Sequence, residues 1–89
     1  MPRTAGPIRL AELARLLGLE VEGDPGLEIG GFASLERAAP DELVFVRDRS
    51  HLAALAACPA RAVVAPPGFA LGGRSALRSE RPAHDFSRL

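Results

Sequence analysis

Two unbroken apolar runs, Leu43–Val46 and Ala62–Ala65, constrain the fold of this chain more than any other feature. Each run is four residues long and lies between charged residues or proline. An apolar run of this length predicts a strand that is covered on both faces of its sheet. The residues between the runs follow a helical pattern, so the order strand, helix, strand predicts a βαβ unit over residues 43–65. Its strands should be parallel and its crossover right-handed.

Helical patterns occur in two segments, and a third begins near the end of the sequence. The first segment, Ile8–Leu17, is predicted to bury one face and to end at Gly18. That face carries Leu10, Leu13, Leu16 and Leu17. The second segment covers residues 51–57 and has Ser50 as its candidate N-cap. The third begins at Pro82, because proline suits the first turn of a helix. Its inner side carries Phe86 and Leu89.

Short alternating patterns predict the remaining strands. Leu19–Glu22 and Leu27–Ile29 alternate apolar and charged residues, and turn-forming residues lie between them, so the two could pair as a hairpin. Ser75–Arg78 is predicted to be a further short strand. The chain is therefore predicted to be a small single α/β domain with a mixed sheet of three or four strands and two or three helices.

The length and charge of the chain exclude several classes of function. Eighty-nine residues suffice for one domain, and eleven arginines balance eleven acidic residues. General nucleic-acid binders and proteins of anionic membrane surfaces depend on excess positive charge, so neither partner is expected. No apolar stretch approaches the ~18 residues of a membrane span, and residues 1–7 carry no targeting pattern. A cytoplasmic location is the resulting expectation.

Few residues of this sequence could hold a metal or cofactor. A single cysteine, Cys58, excludes an internal disulfide framework and a Cys-rich zinc site. Two histidines, at positions 51 and 84, make a structural metal unexpected. The pair Gly30-Gly31 lacks the spacing of a phosphate-binding loop. The sequence therefore indicates no metal and no cofactor.

The composition and the two ends of the chain carry further expectations. The absence of Lys, Asn and Gln suits a thermophile, although a GC-rich genome gives the same bias. Residues 1–7 are interpreted as a disordered lead. The chain stops at Leu89, about two turns into the third helix, which suggests that further sequence once followed.

Several segments together resemble a known domain. They occur in matching order and spacing: Ile8–Ala14, Val21–Asp24, Ile29–Leu35, Glu42–Val46, Ala62–Val64 and Arg81-Pro82. The domain they resemble is the N-terminal domain of UDP-3-O-acylglucosamine N-acyltransferase, an enzyme of lipid A biosynthesis. The resemblance covers residues 8–89. The same pattern also resembles, less closely, the uridine-binding N-terminal domains of the Mur ligases.

The resemblance implies a binding site for the uridine end of a UDP-sugar. In the family, a Phe of the central strand and a Tyr at the start of the following helix enclose the uracil ring, and an Asn between them makes polar contacts. The matching residues of this chain are Phe45, His51 and Asp48. Arg49 and Ser50 stand where the family has Pro and Lys. An ionised carboxylate only accepts hydrogen bonds, so Asp48 is suited to accept one from the uracil N3–H. Its negative charge repels a diphosphate, and the positive charges of the flanking arginines offset that repulsion.

Other interpretations of the same residues stay open. In an apolar run Phe45 is ordinarily a core residue. Asp48 between two arginines is ordinarily a solvated loop residue, and His51 an exposed residue at a helix start. On that interpretation the three residues form no site.

The resemblance also bears on activity and partners. The family's catalysis lies in a β-helix of hexapeptide repeats, which these residues lack, so the chain alone is not expected to acylate a substrate. The chain is interpreted as a recognition domain for a UDP-sugar. The alternatives are a protein–protein module that pairs with a hexapeptide-repeat acyltransferase chain, a non-binding remnant, and a fragment of an intact enzyme. A monomer or weak dimer is expected.

Overall fold

Residues 6–89 are described by the computed structural model of the chain. Their strands are β1 (Ile8–Arg9), β2 (Val21–Glu22), β3 (Glu28–Ile29), β4 (Gly31–Phe32), β5 (Glu42–Phe45), β6 (Ala62–Ala65) and β7 (Ser75–Arg78). Their helices are α1 (Leu10–Leu17), α2 (Leu52–Ala56) and α3 (Pro82–Ser87), and a 3-10 turn, Arg49–His51, precedes α2. Residues 1–5, most of the predicted disordered lead, lie outside the described residues. Among the described residues, no helix is long and apolar enough to cross a membrane.

The main sheet has the strand order β2-β7-β6-β5-β4. Strands β4 to β7 are parallel, with Leu43 opposite Ala62 and Phe45 opposite Val64, and β2 is antiparallel to β7. The predicted α/β class and the parallel βαβ unit over residues 43–65 are confirmed. The sheet has five strands rather than three or four. The two-residue strands β2 and β4 form its edges; β2 lies within the predicted strand Leu19–Glu22, whereas β4 was not predicted, because a pattern of two residues is a weak signal of a strand.

Both faces of the sheet are covered by helices. Successive side chains of a strand point to opposite faces, so Val44, Val63 and Ala76 pack toward α2 while their neighbours Leu43, Val64 and Leu77 pack toward α1 and α3. All six of these side chains are fully buried. Burial of a valine or leucine contributes about 1.5–3 kcal/mol, so the two apolar runs supply much of the core.

The predicted hairpin between residues 19–22 and 27–29 is wrong. Val21 lies opposite Leu77 in the main sheet, whereas Ile29 lies opposite Ile8 in a separate two-stranded sheet. Gly23 explains the separation: its φ is 108°, and a Cβ there would lie 2.9 Å from the Cα of Ser75. The turn therefore serves a close approach to β7, a distant part of the chain, rather than a local pairing.

Helix α1 begins at Leu10 because the two preceding residues form β1. Gly18 ends the helix as predicted, with a φ of 72° and an N–H that donates to the carbonyls of the last turn. Leu10, Leu13 and Leu17 are buried, but Leu16 is 68% exposed, so its predicted place in the core is wrong. At 100° per residue Leu16 lies about 60° beyond Leu13, outside the arc that faces the sheet.

Candidate functional site

The candidate site lies at the carboxyl end of β5. The carboxyl ends of parallel strands meet at one edge of a sheet, where ligands of α/β proteins ordinarily bind. Phe45, the last residue of β5, is half-buried and lies on the face that α3 covers. Helix α2 packs on the opposite face. The end of β5 is therefore flanked by Phe45 on one face and by the start of α2 on the other.

Asp48 organises the turn that leaves β5. Its Oδ1 accepts a hydrogen bond from the backbone N–H of Ser50 at 3.0 Å and a second, short one from the Ser50 hydroxyl. Asp48 has an extended backbone and is the N-cap of the 3-10 turn. The predicted cap, Ser50, is wrong: Ser50 is a donor inside the turn, because an aspartate two residues earlier accepts its N–H.

The imidazole of His51 is held by the backbone of the turn that precedes it. Its Nδ1 accepts a hydrogen bond from the backbone N–H of Arg47 at 3.3 Å. A neutral imidazole carries one proton, so an Nδ1 that accepts leaves the proton on Nε2. The Nε2–H of His51 is therefore a donor at the start of α2.

The charges of the turn favour an ionised carboxylate at Asp48. The hydrogen bonds from the hydroxyl and N–H of Ser50 lower the pKa of the Asp48 carboxyl, and the charge of Arg47 adds to the effect. The Nε of Arg47 is 4.0 Å from Asp48 Oδ2, and both side chains are more than half exposed. The turn thus presents a negative acceptor beside an exposed cation.

Two aromatic contacts at this edge were not predicted. The Phe45 ring lies against Phe86 of α3, with centroids 4.9 Å apart. The guanidinium of Arg49 lies 4.5 Å above the ring centroid of Phe69, in the loop after β6. The helical pattern placed Phe86 on an inner face but could not identify its partner, because the contact joins residues forty-one positions apart in the sequence.

The opposite, amino edge of the sheet carries two open cavities of about 400 and 410 Å³. Arg74, Ser75 and the buried Cys58 line the first, and Arg61 borders both. Sequence reasoning missed Arg74, whose guanidinium is directed at backbone carbonyls. Within residues 6–89, no group of three or more His, Cys, Asp or Glu side chains is placed to hold a metal ion.

Comparison with known proteins decides the family. Residues 26–89 match the family model described as UDP-3-O-(3-hydroxymyristoyl) glucosamine N-acyltransferase, LpxD. The matched range includes the whole strand, turn and helix that carry Phe45, Asp48 and His51. The chain belongs to this acyltransferase family. The resemblance inferred from the sequence is confirmed.

Individual acyltransferases of the family match most of this chain. The UDP-3-O-acylglucosamine N-acyltransferase of Syntrophobacter fumaroxidans is 43% identical over 79 residues, which are 89% of this chain and 22% of that protein. Those of Nitratidesulfovibrio vulgaris and Nitrosococcus oceani are 39% and 37% identical over 90% and 92% of this chain, and 23% and 24% of their own length. The chain therefore spans about a quarter of the length of these acyltransferases.

Proposed function

We propose that this chain is the uridine-recognition region of an acyltransferase of this family, and that it binds the nucleotide end of a UDP-sugar. The observation that carries the proposal is the placement of Phe45. The ring is half-buried at the carboxyl end of a parallel strand, directly before a turn with a charged acceptor and an imidazole donor. Acyl transfer itself is assigned to the hexapeptide-repeat part that the family resemblance implies.

Stacking on Phe45 supplies the base affinity. A pyrimidine has two π-faces, and stacking one of them on an aromatic side chain contributes about 1–3 kcal/mol. Phe45 lies where the sheet ends and the turn begins, so a base at this edge lies between the ring and the start of α2.

The polar groups of the turn fit uracil better than cytosine. Uracil presents an N3–H donor between two carbonyl acceptors, whereas the cytosine N3 is an acceptor. The ionised carboxylate of Asp48 accepts from the uracil N3–H, and the Nε2–H of His51 donates to a uracil carbonyl. Against cytosine N3 the same carboxylate opposes one acceptor with another, which is unfavourable.

Arginines beside the turn suit the phosphates. Arg47 is 67% exposed, and its guanidinium fork can donate to two phosphate oxygens. The guanidinium carbon of Arg49 lies 4.5 Å above the ring centroid of Phe69, and its N–H groups are the donors that a phosphate would use. These cations offset the repulsion between Asp48 and a diphosphate.

The test is a pair of titrations monitored by amide NMR. Uridine 5′-monophosphate at millimolar concentration should shift the amides of residues 45–51, and cytidine 5′-monophosphate should bind at least about fivefold more weakly. Phe45→Leu should weaken uridine binding about tenfold, because it removes the stacking ring and keeps an apolar side chain. Absence of uridine-dependent shifts, or equal affinity for the two nucleotides in the wild-type protein, would contradict the proposal.

A second candidate function is docking to the hexapeptide-repeat part of the acyltransferase. An apolar groove of about 280 Å³ runs between α1 and the end of α3, lined by Leu13, Phe32 and Leu89, and the exposed Leu16 borders it. Exposed apolar grooves of this kind mark interaction surfaces. Mixing the chain with a purified hexapeptide-repeat region of a relative should give a complex, and Leu16→Glu should abolish it. No complex with the wild-type chain would exclude this function.

A further inference from the structure

The ring of Phe86 occupies part of one face of the Phe45 ring. The two centroids are 4.9 Å apart and the planes are inclined by 40°, so the contact is between tilted faces. Phe86 also meets Phe32, with centroids 6.0 Å apart and planes at 88°. Tilted and edge-to-face pairs are attractive beyond their buried area, so the contact with Phe86 restrains the ring of Phe45 directly.

Hydrogen bonds beneath α3 fix the place of Phe86. Ser79, just after β7, is 3% exposed, and its hydroxyl donates to the Asp85 carboxylate at 2.5 Å. The same hydroxyl oxygen accepts from the backbone N–H of Arg81 at 3.0 Å. Asp85 directly precedes Phe86, so the carboxyl end of β7 sets where the aromatic ring of α3 lies.

We propose that Phe86 is a positioning residue for base recognition: it supports one face of Phe45 and so presents the other face at the carboxyl end of β5. This inference rests on the proposed function. A half-buried Phe at a strand end otherwise samples several rotamers. Ordering such a side chain on binding reduces affinity, and a ring that is already held avoids that loss.

The experiment compares Phe86→Leu with Phe32→Leu. Both changes replace a partly buried ring of the same cluster by leucine, but Phe32 lies level with Leu43, two residues before Phe45. In the unliganded protein labelled with ¹³C-phenylalanine, Phe86→Leu should speed the ring flips of Phe45, and Phe32→Leu should leave them near the wild-type rate. Urea unfolding establishes that both variants are folded under these conditions.

Binding of uridine 5′-monophosphate supplies the second readout. Phe86→Leu should weaken it about fivefold, Phe32→Leu less than about twofold, and Phe86→Tyr, which keeps the ring, should restore it. Unchanged ring flips of Phe45 in Phe86→Leu overturn the positioning role, whether or not nucleotide binds. Equal losses of affinity in the two leucine variants also overturn it. If Phe86→Leu speeds the ring flips of Phe45 but the wild-type protein binds no uridine nucleotide, the proposed function is overturned, and the role of Phe86 in base recognition with it.

Discussion

The two edges of the parallel sheet use their charged side chains in opposite ways. At the amino edge, the guanidinium of Arg74 donates at 2.7–3.0 Å to four backbone carbonyls. These carbonyls belong to Leu55, Cys58, Ala60 and Leu71. At the carboxyl edge, Arg47 and Asp48 expose 67% and 53% of their side chains and approach each other only to 4.0 Å. The guanidinium of Arg74 is therefore hydrogen-bonded within the fold, whereas that of Arg47 is exposed to solvent.

This difference separates a structural charge from a candidate ligand contact. Arg74 joins the end of α2 to the loop before β7, and a cation near the C-terminus of a helix is also favoured by the helix dipole. Within residues 6–89, the side-chain hydrogen bonds of Asp48 and His51 join them to residues two and four positions away, so these bonds shape the turn and not the core. A residue type alone therefore marks no site. Side-chain donors and acceptors that the fold leaves available to solvent indicate a candidate site.

The largest expected effect is on the amino edge. Arg74→Ala should lower the free energy of unfolding by about 3 kcal/mol, because it removes charge-assisted bonds to several partly buried carbonyls at once. For a domain of this size that corresponds to a melting temperature lower by about 15 °C. Urea unfolding followed by circular dichroism measures the change.

Two further variants make the result specific to the bonds of Arg74. Arg74→Lys keeps the charge but has no planar fork, so it should recover less than half of the loss. Arg61→Ala removes an exposed arginine from the same edge and should cost less than about 0.5 kcal/mol. If Arg74→Ala were as mild as Arg61→Ala, the contrast between the two edges would collapse.

A smaller effect is expected on ligand affinity at the carboxyl edge. Asp48→Asn keeps an acceptor for the Ser50 N–H but removes the negative charge beside the diphosphate. Affinity for UDP-N-acetylglucosamine should therefore rise about twofold at low salt, and the gain should shrink as salt screens the repulsion. Preference for uridine over cytidine nucleotides should fall, because an amide can turn to donate to cytosine N3. Calorimetric titration at two salt concentrations measures both.

Asp24 offers a matched control for that variant. Its Oδ1 accepts from the backbone N–H two residues later, as that of Asp48 does, but it lies at the amino edge. Asp24→Asn should leave nucleotide affinity unchanged. Equal gains from the two variants would mean that net charge, and not a site at the carboxyl edge, governs binding.

Local sequence patterns predicted the centre of the fold well. The two apolar runs gave the parallel strands of the βαβ unit, since only strands covered on both faces tolerate so few polar residues. Gly18 and Pro82 fixed helix ends through backbone geometry that belongs to the residue itself. Phe45, Asp48 and His51 were found through resemblance to the family, and their role in binding stays a prediction.

Non-local contacts escaped the sequence analysis for physical reasons. The residues of the expected hairpin pair instead with Leu77 and Ile8, partners that no local alternation can specify. The local sequence does not distinguish Arg74 from a surface arginine, because only the fold brings its hydrogen-bond partners at the end of α2 beside it. In each case the decisive partner lies far along the chain, where a pattern over a few residues carries no information.

Arg78 is expected to show the smallest effect and tests the contrast between the two edges, because it is an arginine at the carboxyl edge whose guanidinium is hydrogen-bonded within the fold. Its guanidinium donates to both carboxylate oxygens of Glu22 at 3.2 and 2.7 Å and to the Pro66 carbonyl at 2.8 Å. The hydrogen bond from Arg78, with its charge, holds the pKa of the Glu22 carboxyl below its ordinary value of 4.5. Glu22 is 60% exposed, so solvent keeps the effect small.

The sign of the pH dependence follows from that lowered pKa. The stabilisation by the Glu22 carboxylate is complete above the ordinary glutamate pKa and is lost as the pH falls through the lowered one. Wild type should therefore exceed Glu22→Gln in urea midpoint above about pH 5, and the two should converge as the pH falls below the lowered pKa of Glu22. Glu20→Gln, a neighbouring charge removal, is the control. A difference independent of pH would mean that the ionised carboxylate of Glu22 does not stabilise the fold through Arg78.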